Sequence, residues 1–162
     1  MKKNKGFSLV ELIIVIAIMA ILAAAIAPAL IRYIDKSRKA DDIAAAETVN
    51  TAVQTSLSNE DAYDEIMASM NGEILLCAAQ DTAFPTTTYA NFANEVNSNM
   101  GGKTPKLKYK KTLETGGFLP GGWAVAASNG KPIVYITDGG TYSSYTANKM
   151  VEVQPSIHKD YK

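Results

Sequence analysis

Residues 12–31 form an unbroken apolar run without a single charge, and the chain on either side of it is polar. In a helix rising about 1.5 Å per residue, a run of this length covers roughly 30 Å, the hydrocarbon thickness of a bilayer. Leu12 and Ile31 therefore mark the ends of an expected transmembrane segment. A secretory signal has a shorter apolar core, about 7–15 residues, ahead of a small-residue cleavage site. Ala23-Ala24-Ala25 and Ala27-Pro28-Ala29 imitate such a site, but the length of the run and its helical continuation argue against removal there. Lys2, Lys3 and Lys5 precede the run. Positive flanks stay on the cytoplasmic side, so the N-terminus is expected inside and the bulk of the chain outside.

After Pro28 the pattern turns amphipathic. Ile43, Ala46, Val49, Val53 and Leu57 recur at steps of three or four, the stripe of a helix with one buried face. Asp35, Lys36, Arg38, Lys39, Asp41 and Asp42 form a charged belt before it, with Asp35–Lys39 and Arg38–Asp42 at pairing distance along a helix. A helix from Phe7 to about Leu57 would run roughly 75 Å. Ser58-Asn59-Glu60-Asp61 interrupts the stripe, and Asn59 can cap a short helix to about Met70, stopped by Asn71-Gly72. Glu73 to Cys77 reads as a short segment, extended or helical. Thr86 to Met100 suggests a further helix with Tyr89, Phe92, Ala93 and Val96 on one face, bracketed by Pro85 and Gly101-Gly102.

The remainder is β-like. Lys106-Leu107-Lys108-Tyr109-Lys110 alternates with period two, as a half-exposed edge strand would. Trp123 to Ala127 and Pro132 to Ile136 flank Asn129-Gly130, a strong hairpin signal. Asp138-Gly139-Gly140 reads as a second turn and Met150 to Val153 as a last strand. The fold class expected is α+β: a long N-terminal helix with an apolar first half, and a C-terminal head of three or four antiparallel strands packed on its second half.

Composition narrows the chemistry. With 162 residues, 47% apolar and 20% charged, the chain is neither disordered nor large enough for two ordinary domains. Its one cysteine, Cys77, lies in an apolar run and reads as a small core residue; it can form no intramolecular disulfide and no multi-cysteine zinc site. One histidine, His158, argues against histidine-based catalysis or metal binding. There is no phosphate-binding glycine loop, no His-Glu-x-x-His and no nucleophile elbow. Asp138 beside two glycines lacks the repeated acidic ligands of a calcium loop. No catalytic residue, metal or cofactor is expected. Lys103, Lys106, Lys108, Lys110 and Lys111 around Tyr109 could make a DNA-binding patch, but a solvated strand face is preferred and no specific nucleic acid is expected. Tyr142 and Tyr145 lie in a polar aromatic segment, an exposed loop or a contact surface.

Two residues do not suit a simple anchor. Glu11 sits at the head of the apolar run, where a carboxylate costs a few kcal/mol unless it is hydrated at the headgroups or paired, here with a cation of another molecule. Pro28 removes a backbone hydrogen bond and marks a kink or a locally melted turn. The sequence Lys5-Gly6-Phe7-Ser8-Leu9-Val10-Glu11 followed by an apolar stretch resembles the type IV prepilin signature: a short basic leader ending in Gly, then Phe, then Glu as the fifth residue after the cut. Pro28 and Tyr33 also fall where type IV pilins commonly carry Pro and Tyr. The resemblance covers residues 2 to about 57.

That resemblance implies cleavage between Gly6 and Phe7 by a prepilin peptidase, which would also N-methylate Phe7. It implies assembly roles for Glu11, Pro28, Arg32 and Tyr33, with Glu11 attracting the Phe7 amine of a neighbouring subunit. The divisions that follow are a leader at 1–6, a membrane and filament-core helix at 7–31, its amphipathic continuation at 32–57, a connecting region at 58–102, and the sheet with its C-terminal loop at 103–162. Loss of three lysines would leave 13 basic against 16 acidic side chains, a mildly acidic product of about −3 without general affinity for nucleic acid. The implied function is a major pilin, a homopolymer of itself, inserted in the cytoplasmic membrane before the inner-membrane assembly machinery moves it to an extracellular filament. A pseudopilin of a type II secretion system, a minor pilin, and a bitopic anchored binding protein are the alternatives. Many proteobacterial pilins staple a C-terminal loop with a disulfide; Gram-positive clostridial pilins often do not, and a lone Cys77 fits the latter.

Overall fold

The computed structural model describes residues 6–67, 74–128, 131–142 and 148–162. The leader lysines, the Asn71-Gly72 stop, the Asn129-Gly130 turn and Tyr145 lie outside the described residues. One helix, α1 (Leu9–Ser56), runs through both of the compact units into which the chain divides, Met1–Ser37 and Arg38–Lys162.

From Leu12 to Ile31, in the first unit, α1 is apolar on all sides and exposed on all sides. Pro28 lies inside it, and the helix continues without the melted turn that proline chemistry suggested. Pro28 lacks the N–H that would bond the carbonyl four residues back, a loss of about 3 kcal/mol in an ordinary helix. Alanines at 23, 24, 25, 27 and 29 supply the highest helix propensity around it, and Arg32 Nε donates to the Pro28 carbonyl at 3.4 Å.

In the second unit the stripe on α1 is the buried face that its spacing predicts. Ala46, Val49, Ala52 and Val53 are buried, and Ile43 and Leu57 pack at its margin. Next comes α2 (Glu60–Met67), capped by Asn59, whose Oδ1 accepts from the Ala62 amide at 3.2 Å. Helix α3 (Ala90–Asn99) starts four residues later than the pattern suggests. Three β-branched threonines (Thr86–Thr88) precede Tyr89, which holds a left-handed φ of 54°. Instead of a local cap, Glu65 of α2 accepts from the Phe92 amide at 2.9 Å. At the other end the chain turns at Gly101, φ 75°, a conformation that a side chain would strain, and the Gly102 amide bonds the Asn97 carbonyl at 2.7 Å.

Four strands, β1 (Ile74–Ala79), β2 (Gly122–Ser128), β3 (Lys131–Thr137) and β4 (Met150–Gln154), form one antiparallel sheet in that order. The first strand comes from the stretch read as connecting region, and the extended alternative for Glu73–Cys77 is the one adopted over its described residues. Alternation sorts the strands into two faces. Trp123 and Val125, opposite Ile136 and Val134, join the core that contains Ala46, Val49 and Val53 of α1. Cys77, Ala124, Ala126, Tyr135 and Met150 make a smaller cluster on the other face, against which Tyr142 packs. Trp123 is 0% exposed, and its Nε1 donates to the Pro105 carbonyl at 2.8 Å.

The segment Lys106–Lys110 is not a strand. Its alternation is real, with Leu107 and Tyr109 buried and the three lysines exposed. Side chains, rather than a neighbouring strand, receive its amides: Gln80 Oε1 takes that of Leu107 at 2.8 Å, and Asp42 takes those of Lys108 and Tyr109 at 2.6 and 3.1 Å. Each Asp42 oxygen thus serves a backbone amide of this segment. The tail folds back onto the head. Asp160 accepts from the Thr115 amide at 2.8 Å, Tyr161 is buried edge-on to Tyr109, and the His158 amide bonds the Glu152 carbonyl at 3.0 Å. Gly116 is where the chain passes Asn148: a Cβ there would lie 1.8 Å from the Asn148 carbonyl oxygen.

Candidate processing and assembly site

Gly6 and Phe7 precede the first turn of α1, with open space around Gly6 and Phe7 82% exposed. Ser8 stands at the N-cap position and Glu11 three residues on, in the first turn. The Glu11 carboxylate reaches back to accept from the Ser8 amide at 2.9 Å. This is the carboxylate half of a capping box, and it satisfies one of the amides a helix start leaves without a partner. The positive end of the helix dipole stabilises the anion at the same place. Ser-x-x-Glu ahead of an apolar run is legible in the sequence, a local role for Glu11 that neither headgroup hydration nor an intermolecular pair describes.

From Leu12 to Ile31 the helix offers an exposed, uncharged surface with no other part of its own unit against it. It is long and apolar enough to cross a membrane. Arg32 and Tyr33 follow immediately, and Tyr33 is 73% exposed. With Ala29 and Lys36 they border one shallow groove on the helix. The structure thus places Gly6, Phe7 and Glu11 together at one helix end and Pro28, Arg32 and Tyr33 together about five to six turns further on. They form two places on one rod rather than a single pocket.

The head holds no group of three or more potential metal-binding side chains among the described residues. Cys77 is buried, and that burial pushes its thiol up, away from the reactive thiolate. Asp42 is fully buried. Burial pushes its carboxyl up, and the Lys108 and Tyr109 amides and the Lys110 charge offset this only in part. Tyr142 is not a free loop residue: its hydroxyl donates to Asp138, which also accepts from the Gly140 amide at 2.9 Å and pairs with Lys149 at 3.1 Å. Burial and then the Asp138 charge raise the Tyr142 phenol to about 12. On Asp138 burial acts upward, but Tyr142, Gly140 and Lys149 together hold the carboxyl below its ordinary value. The lysine patch is a solvated face: Lys106 pairs with Asp81 and Lys108 with Asp41, each at 3.1 Å.

A long helix with an exposed apolar first half, joined to an α+β head with a four-stranded antiparallel sheet, defines a pilin-like architecture. The family described as "Prokaryotic N-terminal methylation motif" matches residues 1–27. A "Fimbrial protein" of Moraxella nonliquefaciens is 41% identical over 59 residues, 36% of this chain, and the match spans 38% of that relative's length. No solved structure gives a significant match. The motif, the fimbrial likeness and the fold together support a type IV pilin.

Proposed function

We propose that the chain is the major structural subunit of a type IV pilus. The observation that carries this reading is the exposed, charge-free stretch of α1, headed by Gly6-Phe7 and by the one carboxylate of its first turn. An all-round apolar helix must be buried somewhere, first in lipid and then among copies of itself. A prepilin peptidase cuts after Gly6 and methylates the Phe7 amine. The subunit waits in the cytoplasmic membrane as a single-pass protein, N-terminus inside, until the inner-membrane machinery lifts it into an extracellular filament.

Assembly exchanges one partner of Glu11 for another. In the isolated chain the carboxylate rests on the Ser8 amide. In the filament it meets the Phe7 ammonium of a neighbour, and two charges that are each costly in a low-dielectric core attract most strongly there. Pairing at that one depth sets the axial register, while Pro28, Arg32 and Tyr33 pack further along. The filament serves adhesion, motility or biofilm formation.

Mass spectrometry of the native N-terminus, with electron microscopy of sheared surface material, tests the reading. The expected results are a chain beginning at methylated Phe7 and filaments that contain it. A chain that retains its first six residues and sits unpolymerised in the membrane overturns the proposal and returns the anchored binding protein.

A further inference from the structure

The second unit is electrically polar along the segment of α1 that it contains. Helices α2 and α3 pack against each other and carry five carboxylates, Glu60, Asp61, Asp64, Glu65 and Glu95, with no lysine or arginine between them. Helix α2 follows directly on the C-terminal end of α1, which bears the negative end of the helix dipole and has no basic residue in its last turn. The chain itself thus adds anions where cations would be favoured. On the same helix α2, Tyr63 and Met67 lie four residues apart and remain 42% and 46% exposed. At the other end of this segment of α1, residues 106–111 carry four lysines and no carboxylate, and hang by the Lys108 and Tyr109 amides on Asp42. The fourteen helical steps from Asp42 to Ser56 separate the two patches by roughly 20 Å along the helix. The surface pairs of Lys106 and Lys108, with side chains 72% and 62% exposed, are weakened by water and leave those lysines available to a better partner.

We infer that the occupant of the α2 face is the lysine segment of a second copy of this chain. Lysines of residues 106–111 in one copy meet Glu60, Asp61 and Asp64 of the next, with Tyr63 and Met67 closing against their methylene stems. An antiparallel pair would also match the two patches, but the proposed filament packs its copies parallel, so the contact runs head-to-tail and repeats from copy to copy. The cation missing from the end of α1 is supplied from the neighbouring copy. This inference rests on the pilin reading and adds to it a contact between heads, distinct from the packing of the apolar helices.

The test uses the full-length chain in its own filaments. Asp64→Cys with Lys110→Cys, oxidised in sheared filaments, is expected to give a ladder of multimers on a non-reducing gel, and neither single variant is. Cys77 is buried and does not interfere. Asp64→Lys or Lys110→Glu alone is expected to cut filament yield about tenfold, because like charges face each other at every repeat, and the double exchange is expected to restore it. Both positions are exposed, and an unchanged melting curve of each variant confirms that folding is intact. Filaments that give no ladder, a ladder from one cysteine alone, or yields indifferent to both reversals overturn the head-to-tail contact while leaving the pilin reading in place. A correctly produced chain that never polymerises overturns both.

Discussion

The two stretches of α1 obey opposite rules. Up to Ser37 the helix is held by its own backbone and propensity, and its apolar side chains contact nothing else in their unit. From Arg38 on, a narrower apolar stripe does far more, because Ala46, Val49 and Val53 meet Trp123, Val125 and the rest of the core. The first stretch is more hydrophobic, yet the second supplies the stability of the folded chain. Hydrophobic residues stabilise a fold only when they are covered within it; left bare, they commit the molecule to lipid or to other copies.

The sharpest way to break that contrast is at Glu11. Glu11→Ala is expected to reduce filament yield at least about tenfold, the equivalent of about 1.4 kcal/mol, while the melting curve of the head does not move. Normal filaments from this variant would remove Glu11 from assembly. The converse is Trp123→Ala, expected to destabilise the head by about 3–5 kcal/mol in urea titration. The proposed cleavage after Gly6 should be unaffected, since Trp123 belongs to the second unit. An unchanged midpoint would contradict the placement of Trp123 in the core. Asp42→Ala comes next. It leaves the Lys108 and Tyr109 amides without their acceptor, at about 1–3 kcal/mol, and Asp42→Asn should recover part of that. Asn59→Ala removes the cap of α2 for about 1 kcal/mol, seen as faster amide exchange in Ala62 and Tyr63.

A last effect shows only at high pH. The phenol of Tyr142 is raised to about 12 in the folded head, against about 10 in the unfolded chain. Between those values the folded state binds the proton more tightly, so stability falls as pH rises through this window and is fully present below it. Comparing wild type with Tyr142→Phe from pH 9 to 12 isolates the contribution, because the variant lacks this part of the decline.

Much of this architecture was legible because periodicity reports burial. The uncharged run, the stripe from Ile43 to Leu57, the hairpin strands around Asn129-Gly130 and the final strand each announce themselves by spacing. The alternation at Lys106–Lys110 was legible too, but as burial rather than as pairing. Buried Leu107 and Tyr109 look the same whether the amides between them go to a strand or to Asp42. Strand β1 could not be told from a helical segment, since an apolar stretch buried on both faces has no alternation to show. Its register shift between Ile74 and Leu76 lets both Leu75 and Leu76 enter the main core. The tail was invisible for another reason. Asp160 and Tyr161 gain their roles from Thr115 and Tyr109, some 45 and 52 positions away, and no local pattern encodes such a meeting.

Cys77 has a practical consequence. The head closes through a hydroxyl, a few carboxylates and aromatic rings, and its one thiol is shielded within the sheet. Thiol reagents and reductants have no covalent bond in this head to undo. A fibre built from such subunits would keep its strength equally in oxygen-free sediment and in air.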